Sequence, residues 1–225
     1  MKFAFACAAA AAALLAASSA SAQDGPQVAW NVGVFSDYVF RGYSQMDEDI
    51  AVQGGVDVTA GSFYVGAWGS TVDFGDDTTA EADVYAGFRT EAGGFALDLG
   101  AVAYLYVEAP DGSDYDYVEF KAAASRAIGP VTAGAVVYYS PDFFGLDEEA
   151  TYVEGNLAFT PADKWTVSGA VGYQALDVND DYTTWNAGVA YALTDNLVVD
   201  VRYHDTDVDG PLSDDRVVGA LKVLF

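Results

Sequence analysis

Phe95-Ala96-Leu97-Asp98-Leu99-Gly100-Ala101-Val102-Ala103-Tyr104-Leu105 sets Phe95, Leu97, Leu99, Ala101, Ala103 and Leu105 on one side of an extended chain, and Asp98, Gly100 and Tyr104 on the other. Successive side chains of a strand point to opposite faces, so this stretch has one apolar face and one polar face. It belongs to a class of alternating segments of about 8–12 residues, the length a tilted strand needs to cross a bilayer.

The same period recurs on both sides of it. Val28, Trp30, Val32, Val34, Tyr38 and Phe40 oppose Asn31, Gly33, Asp37 and Arg41. Ile50, Val52, Val56 and Val58 oppose Gln53, Gly55, Asp57 and Thr59. At the C-terminus Val217, Gly219, Leu221, Val223 and Phe225 oppose Arg216 and Lys222. No window after Gln23 has a persuasive helical period. The spacing predicts twelve strands over residues 28–41, 50–60, 63–72, 80–90, 95–107, 115–128, 131–139, 151–160, 165–175, 182–193, 197–204 and 216–225, within a range of 10–14 strands. The third alternates poorly, because Tyr64 and Trp68 fall opposite Phe63 and Val65.

The connections sort by length. Gly61-Ser62, Ala92-Gly93-Gly94, Gly129-Pro130, Pro161-Ala162-Asp163-Lys164 and Thr194-Asp195-Asn196 are tight, whereas those between them are longer and acidic. Short turns at one end and long loops at the other are the asymmetry of an outer-membrane barrel, and an even strand count returns both termini to the short-turn, periplasmic end. An open sheet would expose unpaired backbone groups to lipid, so the expected fold is all-β: a closed transmembrane antiparallel up-and-down barrel. A soluble sandwich could show the same alternation with its apolar face turned inward. Against it, the second face carries Gly, Asp, Asn, Arg and Tyr over many strands. Trp30, Phe40, Phe63, Trp165, Tyr191, Tyr203 and Phe225 lie near strand ends, as interfacial girdles do.

The segment before Gln23 has its own logic. Met1-Lys2 opens it, residues 3–17 are small and apolar, and Ala20-Ser21-Ala22 is an A-x-A cleavage pattern, the plan of a secretory signal peptide. The domain plan is therefore a signal peptide over 1–22 and one barrel domain over 23–225. The lone cysteine, Cys7, lies in the leader. One of the nine basic residues, Lys2, goes with it, leaving eight against 34 acidic ones. Such acidity repels nucleic-acid phosphates. With 52% hydrophobic and 14% aromatic residues, the composition is not that of a disordered acidic tail.

Charge sorts to the polar faces, because an Arg or Lys facing lipid at the midplane costs about 2–4 kcal/mol. The candidate pore lining is Asp37, Arg41, Asp57, Asp83, Arg89, Asp98, Glu119, Lys121, Glu154, Asp200 and Arg202. These residues fit a channel lining that selects ions and small polar solutes, with a weak cation preference from the acidic excess. They equally fit an ion-pair network filling the interior of a structural, adhesive or ligand-binding barrel. The loop over 141–149, with Phe143 and Phe144, is a candidate inward constriction.

Asp205-Thr206-Asp207-Val208-Asp209-Gly210 matches the opening half of a calcium loop, making Asp205, Asp207 and Asp209 candidate ligands. Arg216 stands where the bidentate glutamate belongs, and a solvated acidic loop sharing divalent cations with lipopolysaccharide phosphates is the plainer alternative. Catalysis is not expected. His204 is the sole histidine, Ser213 and Ser140 are merely available, and no G-x-S-x-G elbow occurs.

Ser36-Asp37-Tyr38-Val39-Phe40-Arg41-Gly42-Tyr43-Ser44-Gln45, followed by Val52-Gln53-Gly54-Gly55-Val56-Asp57, resembles the opening of the TorF family of porins. Tyr64-Val65-Gly66-Ala67-Trp68-Gly69-Ser70 and Glu81-x-Asp83-x-Tyr85-x-Gly87 continue the similarity. The resemblance implies an outer-membrane porin-like barrel set in lipid and lipopolysaccharide. It places weight on Asp37 and Arg41 as a structured pair near the external end of the first strand, each bonded to a neighbouring strand.

Overall fold

The computed structural model describes residues 25–177 and 179–225; the predicted signal peptide, 1–22, lies outside them. The chain runs through β1 (Gln27–Phe35), β2 (Val39–Phe40), β3 (Tyr43–Ser44), β4 (Ala51–Ala60), β5 (Phe63–Thr71), β6 (Ala80–Ala92) and β7 (Phe95–Val107). It continues through β8 (Tyr117–Ile128), β9 (Val131–Ser140), β10 (Ala150–Ala162), β11 (Trp165–Leu176), β12 (Tyr182–Ala192), β13 (Leu197–Thr206) and β14 (Arg216–Leu224). Twelve of these form a closed antiparallel barrel in which each strand pairs with its sequence neighbours and β14 returns to β1. The small hairpin of β2 and β3 stands apart from the wall.

Closure is made at the chain's end. The Trp30 amide donates to the Phe225 carbonyl at 3.0 Å, the Phe225 amide donates back at 2.8 Å, and the two rings stack 3.7 Å apart. That seam satisfies backbone groups that lipid cannot. Trp165 packs on Tyr191 and Phe63 on Phe88 at the same short-turn end. At the long-loop end Tyr139, Tyr173 and Tyr203 face outward and donate to Glu149, Asp181 and Asp205. The two aromatic levels bracket an outer surface of Val, Leu, Ile, Phe and Ala.

The poor alternation of β5 has a physical cause: the interior is rich in tyrosine as well as charge. Tyr64 points inward to Asp98, its hydroxyl 2.7 Å from Oδ1, and Trp68 packs inside against Tyr38. Small residues make space for such rings. A Cβ at Gly172 would overlap the Tyr152 ring, whose hydroxyl bonds Glu154. Gly172→Val is therefore expected to lower stability by about 1–3 kcal/mol through overpacking. Gly155→Val, at an outward position with open space, should leave it unchanged; the urea midpoints of the two refolded barrels check this.

The first strand departs from the expected 28–41. It stops at Phe35, and the chain turns inward. Arg41 (φ 47°) and Gly42 (φ 93°) are the two central residues of a tight hairpin pairing Phe40 with Tyr43. Positive φ at both central positions makes a two-residue hairpin loop whose twist matches its strands. Phe40, expected in the lipid-facing girdle, instead lies inside against Tyr104.

Candidate functional site: a lumen crossed by the first loop

Residues 36–45 enter the barrel and touch interior side chains on every strand from β5 to β13. Tyr38 meets Trp68 of β5 and donates to Glu81 of β6 at 3.1 Å. Phe40 packs edge-on to Tyr104 of β7. Tyr43 packs on Tyr182 of β12, and Gly42 lies against Thr184 and Thr206, of β12 and β13.

Arg41 is the centre of this arrangement. Its Nη1 and Nη2 donate to both oxygens of Glu119 on β8, at 2.8 and 2.7 Å, and Nη1 also donates to Gln174 on β11 at 3.0 Å. The Phe40, Tyr138 and Tyr152 rings enclose the guanidinium at 4.4–5.2 Å. A planar fork matched to one carboxylate and packed on aromatic faces is a role for Arg rather than Lys. Tyr104 adds a bond to Glu119 at 3.0 Å. At this level Glu119, Glu154 and Gln174 are each 1% exposed, so the lumen is filled here. The base of the loop is held by Ser44 donating to Asp37 at 2.7 Å and by Arg216 bonding Asp37 at 3.0 Å.

The wall's own charges pair differently. Asp98 accepts from Lys121 at 2.9 Å, Arg89 at 3.2 Å and Tyr64, all on β5 to β8. Arg202 lies 3.5 Å from Asp200 and donates to Asn186 and Ser168, on β11 to β13. Asp57 accepts from Tyr85 at 2.9 Å, and Glu154 from Tyr152 and Asn156. Each of these clusters keeps to one side of the barrel. Among the described residues, the polar side-chain bonds that span the lumen start from the first loop.

All eleven candidate lining residues sit on the interior face or on the inward loop. Asp37 pairs with the neighbouring strand β14, as expected, but Arg41 reaches the far wall. The element that crosses the lumen is residues 36–45, while the loop over 141–149 reaches only the interior-facing Tyr106 and Tyr117 near the long-loop end. Phe143 and Phe144 pack with Phe74, Tyr106, Tyr115 and Tyr117 over one side of the barrel mouth at the long-loop end. The candidate calcium ligands do not converge. β13 continues through Thr206, so Asp205 remains on a strand and accepts from Tyr203 and the Thr206 amide, while Asp207 accepts the Thr183 amide. The carboxylate trio that does converge among the described residues, with oxygens within 4.8 Å of one another, is the exposed set Asp114, Asp142 and Asp147.

Sequence reasoning placed Glu81 on a polar face but missed Tyr38, Tyr104, Tyr152 and Gln174 as site residues. The available signal was Arg41-Gly42, a dipeptide of turn chemistry inside an apparent strand. Outside the strands, the Tyr173 hydroxyl and the Leu176 amide hold the Asp181 carboxyl below the ordinary carboxylate range, so this part of the rim stays charged in mild acid.

A family model described as a bacterial protein of unknown function, Gcw_chp, matches residues 19–222. The chain belongs to the Gcw_chp family. No curated protein sequence matches it. Among solved structures this Gcw_chp chain is similar to the KdgM porin, with a TM-score of 0.60, 10% identity, and coverage of 88% of this chain and 97% of that one. It is similar to the NanC porin at a TM-score of 0.58 and 12% identity, covering 88% and 99%. It is also similar to the COG4313 outer membrane channel from Pseudomonas putida F1 at 0.54 and 11%, covering 88% and 95%. At such identities the likeness is one of fold: a porin-type barrel. The comparisons support the porin-like barrel and not the TorF name.

Proposed function

We propose that this Gcw_chp protein is an outer-membrane channel for passive diffusion of ions and small polar solutes, leaning toward cations, with residues 36–45 as its constriction. The observation that carries this is the pairing pattern. The wall charges that pair with one another do so along the wall, as in the Asp98 and Arg202 clusters, and one loop of ten residues does the crossing. A barrel built to be solid would brace its lumen from several strands.

The cation preference follows from where the charges lie. Among the described residues, Asp37, Glu81, Asp83, Glu119 and Glu154 toward the long loops face only Arg41 and Arg216, while Asp57, Asp98 and Asp200 toward the short turns face Arg89, Lys121, Arg202 and Lys222. The half that meets an incoming solute first is thus net acidic. One KdgM structure is described as a complex with disordered oligogalacturonate. That ligand is a polyanion, and this acidic half would repel it. Small cations and neutral polar solutes suit it better.

Single-channel recording of the refolded mature chain under a potassium chloride gradient tests the proposal. Small discrete steps with a reversal potential on the cation side are expected. A second function, a non-conducting structural or adhesive barrel, is favoured by the near-complete burial of Glu119, Glu154 and Gln174. Inserted protein that stays silent both as wild type and without the loop would establish that alternative.

A further inference from the structure

Glu81 and Asp83 stand two residues apart on the interior face of β6, within hydrogen-bonding reach of each other. Both are buried, Asp83 to 7% exposure. Most buried interior carboxylates have a cation: Asp37 has Arg216, Asp98 has Lys121, Glu119 has Arg41 and Asp200 has Arg202. Glu154 has two side-chain donors. Glu81, with two tyrosine donors, still lacks a cation, and Asp83 lacks both forms of compensation. No described Lys or Arg makes an ion pair with them. Glu81 accepts the Tyr38 hydroxyl and has the Tyr106 hydroxyl within reach, while Asp83 Oδ1, fully enclosed, has no donor. Two adjacent buried carboxylates repel and are costly to desolvate, so either a proton or a bound cation must neutralise them. Arg41 is committed to Glu119 and Gln174.

We propose that Glu81 and Asp83 bind a hard, oxygen-seeking cation, with calcium the ion whose charge matches theirs, where the first loop meets β6. Asp83 Oδ1 is the ready ligand, Glu81 supplies the second carboxylate, and the Tyr38 and Tyr106 hydroxyls beside Glu81 offer further oxygens, the ligand type hard cations require. The site's role as a station for permeating cations rests on the channel function above; its occupancy does not.

Terbium luminescence on the refolded mature barrel tests this, because terbium is a hard cation excited through nearby tyrosine, here Tyr38 and Tyr106. A saturable signal displaced by calcium is expected in the wild type. It should be lost in Asp83→Asn and in Glu81→Gln, and kept in Asp142→Asn, which alters the exposed loop trio instead. Identical titrations in all four proteins would overturn the site. So would a silent wild type showing a protonated-carboxyl infrared band that vanishes in Asp83→Asn, since a shared proton would then supply the charge. Conductance of the same samples separates the two proposals. Binding in a silent barrel removes the channel and keeps the site, and conduction without binding does the reverse.

Discussion

Arg41→Ala is expected to raise single-channel conductance severalfold while lowering the stability of the barrel. Arg41 crosses the lumen from the first loop and fills it between Glu119 and Gln174. Truncation removes the side chain whose hydrogen bonds reach Glu119 and Gln174 across the lumen, and leaves Glu119 buried at 1% exposure without its cation. Breaking a buried pair from one side costs about 3–5 kcal/mol. Arg41→Lys should fall between, since an ammonium cannot reproduce the two parallel bonds to Glu119. Planar-bilayer recording paired with urea unfolding measures both effects. Conductance unchanged in Arg41→Ala and after replacing residues 37–44 with a glycine linker would show that the loop is not the constriction.

Asp98→Ala is expected to move the reversal potential toward anions. Asp98 gathers Lys121, Arg89 and the Tyr64 hydroxyl on one wall of the short-turn half. Removing it leaves four basic residues there against two acids, and strands Lys121, whose side chain is only 11% exposed. The stability cost should be about 3 kcal/mol, at the low end for a broken buried pair. Arg89, at 45% side-chain exposure, rehydrates and contributes little of it. Asp98→Asn should shift the potential in the same direction with a smaller loss of stability, because the amide oxygen can still accept. A reversal potential identical to wild type in both variants would place this half of the lumen off the ion path.

The Asp98 cluster was partly legible in the sequence. Asp98, Arg89 and Lys121 sit on polar faces of adjacent predicted strands, and hairpin register brings such faces together. The Arg41 cluster was not legible. Alternation continues through Asp37 and Arg41 as if the strand did, because a two-residue hairpin preserves the same spacing of rings and charges that an extended chain would show. Only the positive φ at Arg41 and Gly42 distinguishes the two. Tyrosine blurred the inward face in the same way. Tyr64, Tyr85, Tyr104 and Tyr152 count as apolar in a pattern, yet their hydroxyls serve interior carboxylates.

By itself, then, the sequence determined the barrel, its twelve strands, the alternation of short turns with long loops and the inward sorting of charge. All of these follow from local periodicity and from the cost of unpaired backbone and charge in lipid. The tertiary structure alone decided what occupies the lumen. Arg41 meets Glu119 across 78 residues of sequence and Gln174 across 133. Partners on opposite walls come within reach only after the sheet has closed and its stagger is set, and no local pattern carries that information.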